Sequence, residues 1–200
     1  MPEQNRIGCV IMASGLSERY GKNKLLEKLG NREIILHTAG SLTAAGLRPL
    51  VVTRSEEVRE LAEKEGIRCI LHDGSRKSDT IHAGLAHLGQ DPAGYLFVPG
   101  DQPLIRPSSI RRLIEHFGSC GTRAVRLGFR QTPGSPVLFP AAFREDLLAY
   151  DGDRGGVEVL KQKNASCDLV QAEFEWELWD VDTPEKMEQV RNVYQSLGDL

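Results

Sequence analysis

Apolar and polar positions follow two alternating rhythms along this chain: short, nearly unbroken apolar runs, then longer stretches with helical spacing of apolar and charged residues. The alternation predicts strands and helices in turn, the pattern of an α/β sheet. Residues 7–13 are almost entirely apolar and predict a central strand covered on both faces. A polar, glycine-bearing loop follows, then a helix through Ile34, Leu36 and Ala39 that ends near Gly46. Residues 50–53 predict a second strand, residues 56–65 a helix stopped by Gly66, and residues 67–71 a third strand. Residues 80–88 read as a helix, residues 95–98 as a strand, and residues 108–117 as a helix that Pro107 can open.

The rhythm changes after Thr122. Residues 124–130 and 136–139 predict strands around a turn at residues 132–135, followed by a helix over residues 142–150. A glycine-rich loop at residues 152–156 leads into a short helix ending at Lys163. Residues 167–179, with Trp176 and Trp179 as packing residues, predict one or two more strands, and residues 184–197 an amphipathic helix. The fold class expected is α/β: a doubly wound, mostly parallel central sheet with a small mixed C-terminal subregion. It is expected as one domain over residues 1–200, in two halves at 1–120 and 121–200.

Composition adds little to this and excludes some functions. At 200 residues, 40% hydrophobic and 26% charged, the chain can bury a full core without disulfides. A net charge of -3 speaks against a nucleic-acid partner, although it leaves room for a local basic pocket. No apolar run reaches the roughly 20 residues of a membrane span, and the first residues have no signal-like apolar stretch, so the expected location is cytoplasmic. Cys9, Cys69, Cys120 and Cys167 form no zinc-like spacing, and Cys9 and Cys69 read as small buried hydrophobes. His37, His72, His87 and His116 show no nucleophile or metal pattern and read as structural or surface residues.

The candidate chemistry begins directly after the first strand, at the edge of an open α/β sheet where ligands bind. In residues 15–24, Gly15 and Gly21 let the backbone approach a ligand, Ser17 offers a hydroxyl, and Arg19 and Lys24 offer two cations to one polyanion. The spacing fits neither a Walker loop nor a three-glycine dinucleotide fingerprint. The other reading is a surface loop with scattered charges.

Two carboxylate segments could complete a site. Asp101, in Gly100-Asp101-Gln102-Pro103, ends the strand over residues 95–98, where a carboxylate can reach a Mg²⁺ that bridges triphosphate oxygens. Asp180 and Asp182 stand two apart before the last helix, on one side of an extended segment. Asp182 can serve as a metal ligand or, with Thr183 ahead of Pro184, as a helix cap.

Together these stretches carry a resemblance. Met12-Ala13-Ser14-Gly15-x-Ser17-x-Arg19-x-Gly21-x-x-Lys24 resembles the signature loop of the MobA-like nucleotidyltransferases, matching its charged and glycine positions and departing at Met12 and Ser14. The resemblance covers nearly the whole chain in order and implies a Rossmann-like nucleotidyltransferase fold, with a nucleotide-binding first half and an acceptor-binding second half. It implies catalytic roles for Arg19, Lys24 and Asp101, and Mg²⁺ held by Asp101 and Asp182. Ala13, Ser14, Gly15, Ser17 and Lys24 would bind the nucleotide.

The stretch Ser78-Asp79-Thr80-Ile81-His82-Ala83-Gly84-Leu85 resembles the family's base and ribose segment, which adds Ser78, Thr80 and Gly84; Asp79 reads equally well as a helix cap. Pro133-Gly134-Ser135-Pro136-Val137 and Gly152-Asp153-Arg154-Gly155 resemble acceptor segments, implying Gly134, Ser135, Asp153 and Arg154 as acceptor-binding residues. Ser135 stands where histidine is common, and Arg154 can instead face solvent.

The implied substrates are a nucleoside triphosphate and a molybdopterin-like acceptor, with a molybdenum hydroxylase as the protein partner. Because the guanylyl branch tends to Gly-Gly and the cytidylyl branch to Ala-Gly, Ser14-Gly15 favours CTP over GTP. The rival readings are nucleotidyl transfer to a sugar phosphate, a non-catalytic cofactor carrier, and sugar transfer from a nucleotide sugar.

Overall fold

The computed structural model describes residues 6–15, 20, 23–120 and 122–198. Strand β1 (Ile7–Ala13) is followed by a 3₁₀ turn at Lys24–Leu26, the small hairpin β2 (Lys28–Leu29) and β3 (Arg32–Glu33), and helix α1 (Ile34–Ala44). Then come β4 (Pro49–Thr53), α2 (Glu56–Lys64), β5 (Arg68–Leu71), α3 (Lys77–Leu88), β6 (Gly94–Pro99) and α4 (Pro107–Cys120). The second half adds β7 (Ala124–Phe129), β8 (Thr132–Pro140), α5 (Arg144–Ala149), α6 (Val157–Gln162), β9 (Cys167–Gln171) and α7 (Pro184–Leu197).

Seven strands form one sheet in the order β5-β4-β1-β6-β8-β7-β9. β5, β4, β1 and β6 run parallel, β8 is antiparallel to both β6 and β7, and β9 is parallel to β7. The fold is thus the doubly wound, mostly parallel α/β sheet expected, with its antiparallel part confined to the second half. Alternation along β1 separates the two cores. Cys9, Ile11 and Ala13 pack with α1, α2, α4 and α7, whereas Val10 packs with Ile81 and Leu85 of α3 and with Leu147 of α5. Both faces of β1 are therefore dry, which is why its sequence is one apolar run.

Three local expectations are corrected. Residues 132–135 are not a turn: the hairpin turns at Arg130 and Gln131, where Arg130 takes φ 56°, and Thr132 already pairs with Phe129. The proline, glycine and serine that suggested a turn serve instead in a bulge. Between the pairs Arg126–Val137 and Gly128–Pro133, three residues of β8 (134–136) face the single Leu127 of β7. Residues 167–179 hold only one strand, β9, and Trp176 lies in a 3₁₀ turn at Glu175–Leu178. Cys69 is only half-buried, because β5 is an edge strand with a neighbour on one side, while Cys9 on central β1 is fully buried.

Gly84, expected to let a ligand approach, lets a helix approach instead. A Cβ there would lie 2.8 Å from Val10 Cγ2, so α3 can settle on the middle of β1 only with no side chain at this point. Gly84→Leu is expected to destabilise the protein by about 1–3 kcal/mol through overpacking, read as a lower urea midpoint. An unchanged midpoint together with weakened triphosphate binding would return Gly84 to the ligand side.

Candidate active site

The parallel register sets the carboxyl ends of the first four sheet strands side by side: Ala13 faces Thr53, Thr53 faces Leu71, and Met12 faces Pro99. Everything that leaves these strands starts at one edge. Thr53 Oγ1 donates to the Ala13 carbonyl at 2.9 Å, and the Gly100 amide donates to the Met12 carbonyl at 3.0 Å. Thr38 Oγ1, from α1, donates to the Gly100 carbonyl at 3.1 Å. A Cβ at Gly100 would sit 3.2 Å from the Met12 carbonyl oxygen, so glycine is what lets this exit loop lie against β1. Asp101 is the next residue, and Leu104 and Ile105 plug the loop into the core behind it.

Lys24 arrives from the other side. Asn23 caps the 3₁₀ turn by accepting from the Leu25 amide at 3.2 Å, and its Nδ2 donates to Ser55 Oγ at 3.2 Å. With Leu25 buried, the turn presents Lys24 Nζ to Asp101 Oδ2, with which it forms an ion pair, and to Asp182 Oδ1 at 2.8 Å. Burial by itself pulls the Lys24 pKa down, but the charge and hydrogen bond of Asp101, and then those of Asp182, outweigh it and the net shift is upward. Lys24 is held as a cation.

Asp182 is placed by its neighbours. The Val181 amide donates to the Asp101 carbonyl at 3.0 Å and its side chain is fully buried, anchoring the segment against the β6 exit loop. Thr183, not Asp182, caps α7: its Oγ1 accepts from the Lys186 amide at 3.2 Å, with Pro184 opening the helix. The cap reading of Asp182 is thus set aside, because Thr183 does the capping. Residues 180–183 are not the end of a strand: the Asp182 amide donates to the Asp180 carbonyl at 3.0 Å, a tight turn in which both aspartates flank the Val181 anchor.

Asp180 is a site residue that the sequence reading left without a role. It stands at the solvent rim, yet the protein packed around it desolvates its carboxyl. Together with the charges of Asp101 and Asp182, this raises its pKa to about 6, against a lowering hydrogen bond from Gln102. Among the described residues, Asp101, Asp180 and Asp182 thus stand close to Lys24 at one edge. Among the described residues no group of three or more His, Cys, Asp or Glu is arranged to hold a metal alone. Mg²⁺ characteristically takes one or two carboxylates and completes its shell with phosphate oxygens and water, so Asp101 and Asp182 fit that ion.

Ser17 and Arg19 lie outside the described residues. Ala13, Ser14 and Gly15 stand at the end of β1 beside the cluster, and nothing lies within 4 Å of a Cβ built on Gly15, leaving its backbone open to a ligand. Ser14 Oγ donates to the Val52 carbonyl at 3.2 Å and lies 2.7 Å from His72 Nε2; Thr80 Oγ1 is 3.2 Å from the same nitrogen. His72, read from the sequence as structural, thus joins two expected nucleotide-binding residues, and burial pulls its pKa below the ordinary histidine value. Only the register of β5 against β4 and β1 reveals this, since His72 sits 58 residues from Ser14.

Ser78 is fully buried, and its Oγ accepts from the Gly152 amide at 3.2 Å, so it ties α3 to the glycine-rich loop. Asp79 accepts from the Arg76 amide at 2.8 Å and closes the first turn of α3. The four expected acceptor-binding residues fall into two places. Gly134 and Ser135 line a cavity of about 540 Å³ with Gln102 and Asp180. Asp153 instead accepts from the Lys77 amide at 3.3 Å, and Arg154 is largely exposed, 3.9 Å from Glu158. That loop packs at the start of α3 and not around the cavity. Trp179, expected as strand packing, is a cavity wall.

A doubly wound α/β sheet gathers a lysine and three carboxylates at its carboxyl edge, an arrangement that suits a cation together with an anionic ligand. The chain belongs to the MobA-like NTP transferase domain family, whose model matches residues 9–167. It is similar to the probable molybdenum cofactor guanylyltransferase of Thermococcus sibiricus, 30% identical over 116 residues covering 56% of this chain and 57% of that one. It is also similar to the 3-deoxy-manno-octulosonate cytidylyltransferase of Rickettsia massiliae, 30% identical over 118 residues, 56% of this chain and 48% of that one. The matches thus span only about half the length of these curated relatives. Among solved structures, a nucleotidyl transferase from Methanothermobacter thermautotroptrophicus shares the fold with a TM-score of 0.84 at 23% identity, covering 97% of this chain and 100% of that one. No helix among the described residues is long and apolar enough to cross a membrane.

Thr183→Ala is expected to lower unfolding stability by about 1 kcal/mol, the usual cost of a lost helix cap. An unchanged urea midpoint in Thr183→Ala would overturn the assignment of the cap.

Proposed function

We propose that this protein transfers a nucleotidyl group from a nucleoside triphosphate, CTP in preference to GTP, to the terminal phosphate of a molybdopterin-like acceptor. The observation that carries the proposal is the convergence of Lys24, Asp101 and Asp182 from three separate segments onto one point of the carboxyl edge. A lone lysine or aspartate on a surface has many explanations; three charged groups brought together from positions 24, 101 and 182 suit a triphosphate and its metal.

In this mechanism an acceptor phosphate oxygen attacks the α-phosphorus in line, the new P–O bond forms, and the bond to the β-phosphate oxygen breaks to release pyrophosphate. Lys24, with Arg19, neutralises the charge that grows on the departing pyrophosphate. Asp101 and Asp182 would hold Mg²⁺, which supplies further charge neutralisation when bound. No general base is needed, because a phosphate acceptor is already ionised. Positioning and electrostatics account for the catalysis. The first half, residues 1–120, takes the nucleotide, and residues 121–200 supply Asp182 and the acceptor wall.

Ser14 supports the preference for CTP. Its side chain is tied to Val52 and His72, so it takes up room that two consecutive glycines would leave open to a larger purine. The likeness to a cytidylyltransferase of a sugar acid favours a second reading, in which the acceptor is a small anionic sugar.

Pyrophosphate release, measured with each of the four triphosphates and with molybdopterin or sugar acceptors, tests the proposal. CTP with molybdopterin is expected to give the highest kcat/KM, and a GTP optimum would overturn the nucleotide preference. Lys24→Ala and Asp101→Ala are each expected to reduce turnover by about 10³-fold or more, and wild-type-like activity in either sinks the mechanism. Asp182→Asn is expected to raise the Mg²⁺ concentration at half-maximal rate by about tenfold or more; an unchanged Mg²⁺ dependence removes it from the metal site.

A further inference from the structure

The cavity beside the carboxylate cluster holds a positive charge with no counter-charge among the described residues. Arg126, on β7, is half-buried, and both its Nε and its Nη2 donate to a single atom, the Gly134 carbonyl oxygen, at 2.8 and 2.6 Å. A guanidinium has five N–H groups, so most of its hydrogen-bonding capacity is left over. Glu175 and Asp180 stand on the same cavity wall, but no carboxylate among the described residues pairs with Arg126. Burial pulls its pKa below the ordinary arginine value, and no carboxylate raises it again. By contrast Arg106 and Arg112 both bind Glu173 at 2.7 Å. Taking a cation out of water without an anion is costly, and the cost is recovered when an anion arrives.

A second group in the same cavity is also left open. Gln102 is 1% exposed, and its Nε2 donates to the Leu178 carbonyl at 3.3 Å, while its Oε1 is buried with no partner among the described residues. Gln102 directly follows Asp101, so this atom links the cavity to the carboxylate cluster. Phe129, Leu178 and Trp179 supply apolar wall, and Arg130, with its guanidinium 5.3 Å from the Phe129 ring centre, adds an exposed cation to the lining. The β8 bulge opens this wall: residues 134–136 bow away from β7, and Arg126 reaches into the bow.

We propose that this cavity is an anion-receiving pocket for the acceptor, with Arg126 binding an anionic group of an acceptor that has an apolar or ring-bearing body, and Gln102 Oε1 taking a hydrogen bond from that body. The proposal rests on the nucleotidyl-transfer reading and deepens it: Arg126 selects for charged acceptors, and Gln102 orients them toward Asp101.

The test uses binding alone, so it is independent of whether molybdopterin is the substrate. In a Trp176→Phe background, Trp179 emission reports on the cavity. The full-length protein is titrated with phenyl phosphate and with neutral benzyl alcohol as probes. Phenyl phosphate is expected to bind at least about tenfold more tightly than benzyl alcohol, a difference typical of one charge-assisted contact. Arg126→Gln is expected to erase that difference, Arg126→Lys to restore part of it, and Lys24→Ala to leave it in place.

Because Arg126 also clamps the bulge, Ser135→Asp serves as a second variant: it places a negative charge on the cavity wall with Arg126 untouched, and is expected to weaken phenyl phosphate selectively. Persistence of the difference in Arg126→Gln or Ser135→Asp, its loss in Lys24→Ala, or the absence of any Trp179 response overturns the proposal. Failure of this test would leave the pyrophosphate assay intact, and failure of that assay would leave this binding result standing.

Discussion

The site depends on one shared ion: the ammonium of Lys24, held between Asp101 and Asp182. Each of the three residues arrives on a different piece of chain, and each piece is braced separately. Asn23 pins the turn before Lys24, Thr38 and Gly100 set the loop before Asp101, and the Val181 amide ties the last segment to the Asp101 carbonyl. The lysine neutralises carboxylates that would otherwise repel one another; at Asp180 burial raises the pKa first, and the charges of Asp101 and Asp182 raise it further. Carboxylates gathered this closely favour a cation beside them, and that is the property on which the proposed metal and triphosphate site rests.

The second half of the chain does more than cover the sheet. Antiparallel β8 lies directly beside β6, which brings the β7–β8 hairpin against the exit loop that carries Asp101 and Gln102. Behind it, buried Glu177 accepts from the amides of Glu173, Phe174 and Arg106 at 2.8, 3.1 and 3.2 Å, locking the 3₁₀ turn to the start of α4. A buried carboxylate with three backbone donors is a fixed brace. It holds Leu178, Trp179 and Asp180 where they can serve as one wall, opposite the bulged strand. The proposed nucleotide and acceptor sides would thus share one continuous sheet, with the carboxylates at the seam.

Much of the architecture was legible because it is written in local rhythm. A strand buried on both faces must be an apolar run, as residues 7–13 are, and a helix between sheet and solvent must show helical spacing, so the main-sheet strands and the helices through α4 could be read directly, while the short β2–β3 hairpin could not. Where local chemistry and tertiary demand diverged, the reading failed. Pro133, Gly134 and Ser135 are turn formers in isolation, but β6 needed a partner strand there, and the excess residues were absorbed as a bulge. Gly84 looked like room for a ligand, yet that room is occupied by Val10.

By itself the sequence determined the sheet, its open edge, and the candidate charges at Lys24, Asp101 and Asp182, because each is marked by residues close to it in the chain. Only the tertiary structure decided how those charges meet. It assigned the cap of α7 to Thr183, brought His72 to Ser14 across 58 residues, raised Asp180 to a member of the cluster, and left Arg126 in a cavity with no counter-ion among the described residues. Electrostatic and hydrogen-bonding partners are set by distance in space, and spacing along the chain does not encode that distance until the sheet has brought its strands into register.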